Sequence, residues 1–356
     1  MSLWADKHRP KTLEQLDFHE GISNRLKSLA SSGDFPHLLV YGPPGAGKKT
    51  RVLATLREIF GPGVEKLKVD VKIFENGSRK LEFNVISSPY HYEITPSDMS
   101  GNDRIVIQDL LKQVAQTESI DFTRKMKFKV VIINEAEYLT RDAQAALRRT
   151  MEKYSGNLRL ILLCNSTSTI IPPIKSRTLQ IRVPSPTAPE MSLVFNKILE
   201  KESVTSFDDD PSIFANVAAN SERNLRMGIM LLESLYMNND QITAKTPMIL
   251  PDWKGVIKNL GAEILKNRNV QMVQSARSTF YDLIAHCIPS KLILSELTWE
   301  LWYLLGNVKS GNVDQIKGSI VDACSTFDER LSLGQKDIFH LEGFIIKTMV
   351  ILEKNL

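Results

Sequence analysis

The chain has 356 residues, is 42% hydrophobic and 24% charged, and carries a formal net charge of +4; this predicts a soluble globular protein of two or three domains. No apolar stretch reaches spanning length and no charged-then-apolar leader opens the chain, so no membrane partner is expected. Cys164, Cys287 and Cys324 stand far apart with no CxxC pair, which argues against a zinc site or a disulfide framework and suits a reducing compartment.

A helical pattern at 20–30 comes first, and the apolar run at 37–41 then reads as a buried strand. The glycine-rich stretch 42–50 leads into a helix over 49–60. An insert follows, in which Lys66–Phe74 and Lys80–Val85 alternate in polarity around Asn76-Gly77-Ser78, the signature of a hairpin. Further strands at 90–94, 128–134 and 158–164 alternate with helices at 103–116 and 141–153. This alternation predicts an α/β fold with a parallel sheet and helices on both faces.

The prolines of Val183–Pro189 close this first domain, since they cannot continue a helix or a central strand. Residues of about 190–240 read as small helices with an acidic run, Asp208-Asp209-Asp210. Thr246-Pro247 and Leu250-Pro251 mark a second linker, and from Trp253 onward the pattern is helical, as in a bundle or an oligomerisation module. Residues 1–182 carry +8, residues 183–240 carry −5 and residues 241–356 carry +1. A basic first domain can face nucleic acid, although a charge excess is more often a solvated face.

Gly42-Pro43-Pro44-Gly45-Ala46-Gly47-Lys48-Lys49-Thr50 follows the phosphate-loop pattern G-x-x-x-x-G-K-[ST], except that Lys49 occupies the hydroxyl position. The strand before it and the helix after it are the context this loop requires, and the helix N-terminus adds free N–H groups facing an anion. The strand Val130–Ile133 then ends in Asn134-Glu135-Ala136-Glu137, where an Asp-Glu pair is expected beside the phosphates. In working sites that Asp holds Mg²⁺ and the Glu orients the attacking water. Asn134 removes the charged ligand, Lys49 removes the hydroxyl, and only Glu135 keeps its place. An ammonium near the metal repels it by about 4 kcal/mol per pair of unit charges at about 4 Å in a partly screened site. Both changes argue for nucleotide binding with poor or no hydrolysis, and against a metal site.

Asn165, at the end of the 158–164 strand, is either a strand-end cap or a group that orients water and the γ-phosphate. Arg177, in Ile174-Lys175-Ser176-Arg177-Thr178, is either a solvated surface residue or an arginine finger reaching a neighbour's nucleotide.

Together these motifs resemble the small subunits of replication factor C, the eukaryotic sliding-clamp loader of the AAA+ class. Trp4-Ala5-Asp6-Lys7-His8-Arg9-Pro10 is similar to that family's W-x-x-K-Y-R-P opening, with His8 in place of Tyr. Leu147–Glu152, Ser176-Arg177-Thr178 and Phe327–Gly334 also match family motifs, and the similarity runs over essentially the whole chain. The resemblance implies an AAA+ RecA-like core at 1–182, a small helical lid at 183–240 and an all-α collar at 241–356. It implies that Ala5 and Asp17 line the adenine and ribose side, that Gly42 to Thr50 hold the phosphates of ATP or ADP, and that Asn165 and Arg226 fall at the two sensor positions. Arg177 would act in trans on an adjoining subunit.

The partners implied are the other subunits of a hetero-pentamer, the sliding clamp and primer–template DNA, in the nucleus, in replication, repair and checkpoint work. In the family the helix matching Asp103–Ala115 carries basic residues toward DNA. Here Ile107 and Asp109 fall at positions often basic there and leave Lys112, so weak direct DNA contact is expected. Arg148 and Arg149 could bind phosphate, pair with nearby acids or support the nucleotide site. An autonomous AAA+ ATPase and a scaffold that no longer binds nucleotide are the alternatives.

Overall fold

The computed structural model describes residues 2–76, 79–116, 128–208, 210–307, 312–334 and 336–355. Gly77 and Ser78 of the expected hairpin turn, and Asp209 of the acidic run, lie outside them. The chain divides into two compact units, one ending at Met248 and the other beginning at Ile249.

In the first unit the strands are β1 (Leu38–Tyr41), β2 (Lys68–Asn76), β3 (Arg79–Ser87), β4 (His91–Ile94), β5 (Lys129–Ile133), β6 (Leu158–Cys164) and β7 (Leu179–Arg182). The helices are α1 (Trp4–Lys7), α2 (Glu20–Ser31), α3 (Lys48–Phe60), α4 (Asp103–Gln116), α5 (Arg141–Lys153), α6 (Pro172–Lys175), α7 (Ala188–Glu202), α8 (Pro211–Asn220) and α9 (Leu225–Asn238). Among the described residues the strands form one sheet in the order β2-β3-β4-β5-β6-β1-β7. The run from β4 to β7 is parallel, whereas β2, β3 and β4 pair antiparallel. The hairpin read as an insert is therefore part of the sheet and forms one of its edges. At the other edge lies β7, a strand absent from the sequence reading. Its four residues, Leu-Gln-Ile-Arg, run straight into the proline-rich segment and are largely exposed, and so short an alternation does not mark a strand.

Both sheet faces are covered, which explains why the central strands read as unbroken apolar runs. Val131 and Ile133 of β5 pack with Val106 and Leu110 of α4 and Leu147 of α5. Val130 and Ile132 point the other way, into a core with Val52 and Leu56 of α3. Ile107 is fully buried in the α4 core, so that position faces the sheet. Its lack of charge therefore says nothing about DNA, and the exposed positions of this helix include Asp109 and Lys112.

The segment α7–α9 has an apolar core of its own, centred on Met191, Phe195 and Leu232, and Trp4 is buried in it. The Trp4 backbone N–H donates to the buried Glu233 carboxylate at 3.0 Å. Where the family opening has Tyr, His8 pairs through Nε2 with Glu202, which Lys7 also contacts. Thr187 and Glu190 form a reciprocal cap at the start of α7.

The second unit consists of α10 (Asp252–Lys266), α11 (Val270–Ala285), α12 (Ser290–Leu305), α13 (Val313–Leu333) and α14 (Asp337–Asn355). They surround one core that includes Ile257, Phe280, Leu297, Ile320 and Phe344. Arg277 of α11 forks onto Glu342 of α14, with Nη2 to Oε2 at 2.9 Å.

Two local constraints shape the loop between β1 and α3. Gly42 has φ +151, and a Cβ there would lie 1.9 Å from the Val183 carbonyl oxygen. Val183 is fixed in turn, because its N–H donates to the Tyr41 carbonyl at 2.8 Å. In α3, Arg51 is fully buried. Its guanidinium donates to the Phe18 carbonyl at 2.6 Å and to Ser23 Oγ at 2.7 Å, and lies 5.0 Å from the centre of the Phe18 ring. Burial pulls its pKa down to about 10, with the Glu190 carboxylate opposing.

Gly42→Ala should lower the thermal midpoint of the purified chain by roughly 4–10 °C, from overpacking and backbone strain of about 2–3 kcal/mol. Arg51→Met should lower stability by about 3 kcal/mol, because two charge-assisted hydrogen bonds vanish and the buried Phe18 carbonyl loses its donor. A thermal melt of Gly42→Ala and denaturant unfolding of Arg51→Met check the two values.

Candidate nucleotide-binding site

The carboxyl ends of β1, β4, β5 and β6 lie side by side, and the residues just beyond them line a cavity of about 670 Å³. Such sheet ends are where open α/β folds bind ligands. Eight Lys and Arg residues line it against three Asp and Glu, so the cavity favours an anion.

One wall is the phosphate loop. Pro44, Gly45, Gly47, Lys48, Lys49 and Thr50 line the cavity. Gly42, Pro43 and Ala46 do not; they build the loop from behind, with Ala46 fully buried. Gly47, at φ +85, turns the chain into α3, whose first N–H groups open onto the space. Gly45 has φ +72, and a Cβ there would meet Asn224 Oδ1 at 1.7 Å. That same oxygen accepts the Met227 N–H at 3.2 Å and caps α9.

Lys48 Nζ donates to the Gly42 carbonyl at 2.6 Å, the Pro43 carbonyl at 2.9 Å and Asn165 Oδ1 at 2.8 Å. Burial lowers its pKa, and the Glu137 carboxylate acts against that shift. Glu137 Oε1 accepts from both the backbone N–H and Nδ2 of Asn165, at 3.0 and 2.7 Å. This relay fixes the Asn165 amide with its oxygen toward Lys48. The other Glu137 oxygen is buried without a hydrogen-bond partner. Burial, and after it the same carboxylate, pushes the Cys164 thiol up to about 12, which leaves it un-ionised.

At the other end of the loop, the Lys49 ammonium forms an ion pair with Glu93 of β4. Asn134 Nδ2 donates to the same Glu93 oxygen at 2.9 Å and to Thr95 Oγ1 at 3.2 Å. The Glu93 side chain is only 4% exposed, whereas that of Lys49 is 36% exposed. Glu135, at φ +51, is exposed and accepts from Ser97 Oγ at 3.1 Å. Among the described residues no group of three or more His, Cys, Asp and Glu is placed to hold a metal ion. Where the AAA+ class takes Mg²⁺, this chain offers an ammonium, an amide donor and a carboxylate already engaged by both. A hard cation that wants free carboxylate oxygens does not fit that set.

The remaining wall mixes apolar and basic side chains. Ala5, Leu16, Phe18, Val194, Ile198, Leu225 and Ile229 contribute apolar surface to it. Asp17 lines it too, paired with Lys197, and Arg226 enters from the first turn of α9.

The structure thus brings Ala5, Asp17, Asn165, Arg226, Glu135 and the loop lysines to one cavity. Arg177 is not among them. It lines a separate concavity of about 390 Å³ with Phe35, His37 and Arg159. Its guanidinium donates to the Pro173 carbonyl at 2.9 Å and pairs with Glu152 at 2.8 Å. Sequence reasoning missed Glu93 and the role of Glu137. The signal for Glu93 was a lone acid in a short buried strand. For Glu137 it was a second acid two residues after Glu135, just past the end of the 128–134 strand.

A family model described as "Replication factor C subunit 3, C-terminal domain" matches residues 253–356, and one described as "DNA polymerase III, delta subunit" matches residues 18–187. Replication factor C subunit 5 of Saccharomyces cerevisiae is 52% identical over 361 residues, covering 99% of this chain and 100% of that protein. The Neurospora crassa subunit 5 is 49% identical over 357 residues, covering 100% and 99%. Human replication factor C subunit 3 is 42% identical over 357 residues, covering 99% and 97%. The solved structure of a RuvB variant from Thermotoga maritima aligns at a TM-score of 0.49 and 14% identity, over 72% of this chain and 79% of that one. With a nucleotide-sized cavity at the end of an α/β sheet and relatives matched along their full length, the chain belongs to the replication factor C family of AAA+ clamp-loader subunits, in the branch called subunit 5 in fungi and subunit 3 in animals.

Proposed function

We propose that this chain is the nucleotide-holding, poorly or non-hydrolysing subunit of a five-membered replication factor C. That complex would use ATP to open a sliding clamp and load it at primer–template junctions in the nucleus. Residues 1–182 serve as the ATPase-type core, 183–240 as a lid and 241–356 as a collar that joins the ring. The separate apolar core of α7–α9 supports the lid reading.

The observation that carries the proposal is the Lys49–Glu93–Asn134 cluster. The two positions that should bind Mg²⁺ are instead engaged with the same buried carboxylate. Without a metal to draw charge from the γ-phosphate, hydrolysis loses a principal source of transition-state stabilisation. Glu135 then has no activated water to orient. Binding does not suffer the same loss, because the loop N–H groups, Lys48 and the α3 N-terminus all remain.

Arg177 supplies the complementary half of the reading. It lies outside this chain's own cavity, and it is 39% exposed beside a half-exposed Glu152. An ion pair that open is worth about 0.2–1 kcal/mol, so the guanidinium can leave it for a phosphate on an adjoining subunit at little cost.

The full chain, purified and denatured, should release a bound adenine nucleotide, yet show no Mg²⁺-dependent turnover above background. Robust turnover would restore the autonomous-ATPase reading, and an empty site would favour the scaffold. In the assembled complex, Arg177→Ala should leave assembly intact and slow the neighbouring site by about 10³-fold or more. Clamp- and DNA-stimulated ATPase falls by that site's share, and unchanged turnover removes the finger assignment.

A further inference from the structure

The cluster at the metal end does more than exclude a cation. Glu93 sits on β4 in register with Ile132 of β5, in the buried part of the sheet. A carboxylate there is tolerated only if a charge partner and hydrogen bonds compensate its lost hydration. Lys49 supplies the charge, and Asn134 donates to the same oxygen. Lys49 is the second residue of α3, and both Lys49 and Asn134 line the cavity. A buried acid thus anchors an ammonium that reaches the nucleotide space from the position where the phosphate-loop hydroxyl would hold Mg²⁺.

We propose that the Lys49 ammonium, fixed by Glu93 and Asn134, takes the place of the divalent cation and lets this site hold its nucleotide without metal. The inference rests on the reading of the site as a holding site and deepens it by naming what holds the phosphates. Lys49 has three N–H donors and uses one on Glu93, which leaves donors for phosphate oxygens. It is tethered to the chain, so its cation is not lost on chelation as a bound ion would be. Lys48 remains a second fixed cation, and its present acceptors include two loop carbonyls that a phosphate oxygen can displace.

The test is equilibrium binding of radiolabelled ATP and ADP to the full-length chain, first stripped of nucleotide, in excess Mg²⁺ and in excess EDTA. The wild-type affinities should agree within about threefold between the two conditions. Lys49→Thr, which returns the hydroxyl, should bind at least about tenfold more weakly in EDTA than in Mg²⁺. The double variant Lys49→Thr/Asn134→Asp, which returns the carboxylate as well as the hydroxyl, serves as a second carrier of the same prediction. Wild-type binding that collapses in EDTA overturns the inference but leaves the holding site intact. A Lys49→Thr or double variant that binds equally well in EDTA and in Mg²⁺ also overturns it. Absence of binding in both conditions overturns the holding site itself, and the two failures are thereby distinguished.

Discussion

A single buried guanidinium ties the nucleotide site together. Arg51 lies one turn into the helix that follows the phosphate loop, and its hydrogen bonds go to Phe18 and Ser23. Phe18 lines one part of the cavity, and the first residues of the same helix line another. One side chain with no access to water therefore ties these two parts of the cavity wall together. The N-terminal segment is held at its other end as well, where Trp4 is buried among α7–α9 and anchored on Glu233. Strand, loop, Phe18 turn and three-helix segment form one connected set, so a change in any of them reaches the cavity.

Within this connected set the polar relays are narrow in scope. At one end Glu137 orients Asn165, which receives Lys48; at the other Glu93 gathers Lys49 and Asn134. Each relay has a carboxylate behind a lysine, Glu93 buried in β4 and Glu137 with one of its oxygens buried. Buried acids of this kind add little net stability, since desolvation offsets most of the attraction, but they fix where the cation points. The loop thus presents two oriented ammonium groups.

Much of this is legible in the sequence because the central strands are covered on both faces and read as unbroken apolar runs. The glycine loop, the acid-bearing strand end and the alternation of elements place the sheet and the cavity. What escapes has physical reasons. β7 is an edge strand of four residues, Leu-Gln-Ile-Arg, too short an alternation to mark a strand beside the proline-rich segment. The hairpin β2–β3 looks like an insert because antiparallel pairing to β4 depends on tertiary placement that no local pattern encodes. Likeness alone points Ile107 outward, and helical phase puts it inside. Glu93 is invisible as a partner because Lys49 and Glu93 are 44 residues apart, and only the β4–β5 pairing brings that acid beside Asn134.

The close approach of Gly45 to Asn224 has a kinetic consequence. The loop that wraps the phosphates and the residue that caps α9 meet with no space for a methyl group between them. The first turn of α9 also forms part of the cavity wall through Leu225 and Arg226. A bound nucleotide that touches Leu225 and Arg226 would be held by this segment as well as by the loop, so withdrawal of α7–α9, which carries Trp4 and its anchor with it, would be one step of its release. Residence time would then depend on the rate of that step as well as on the phosphate contacts. A ligand retained on such terms would exchange more slowly than one held by the loop alone.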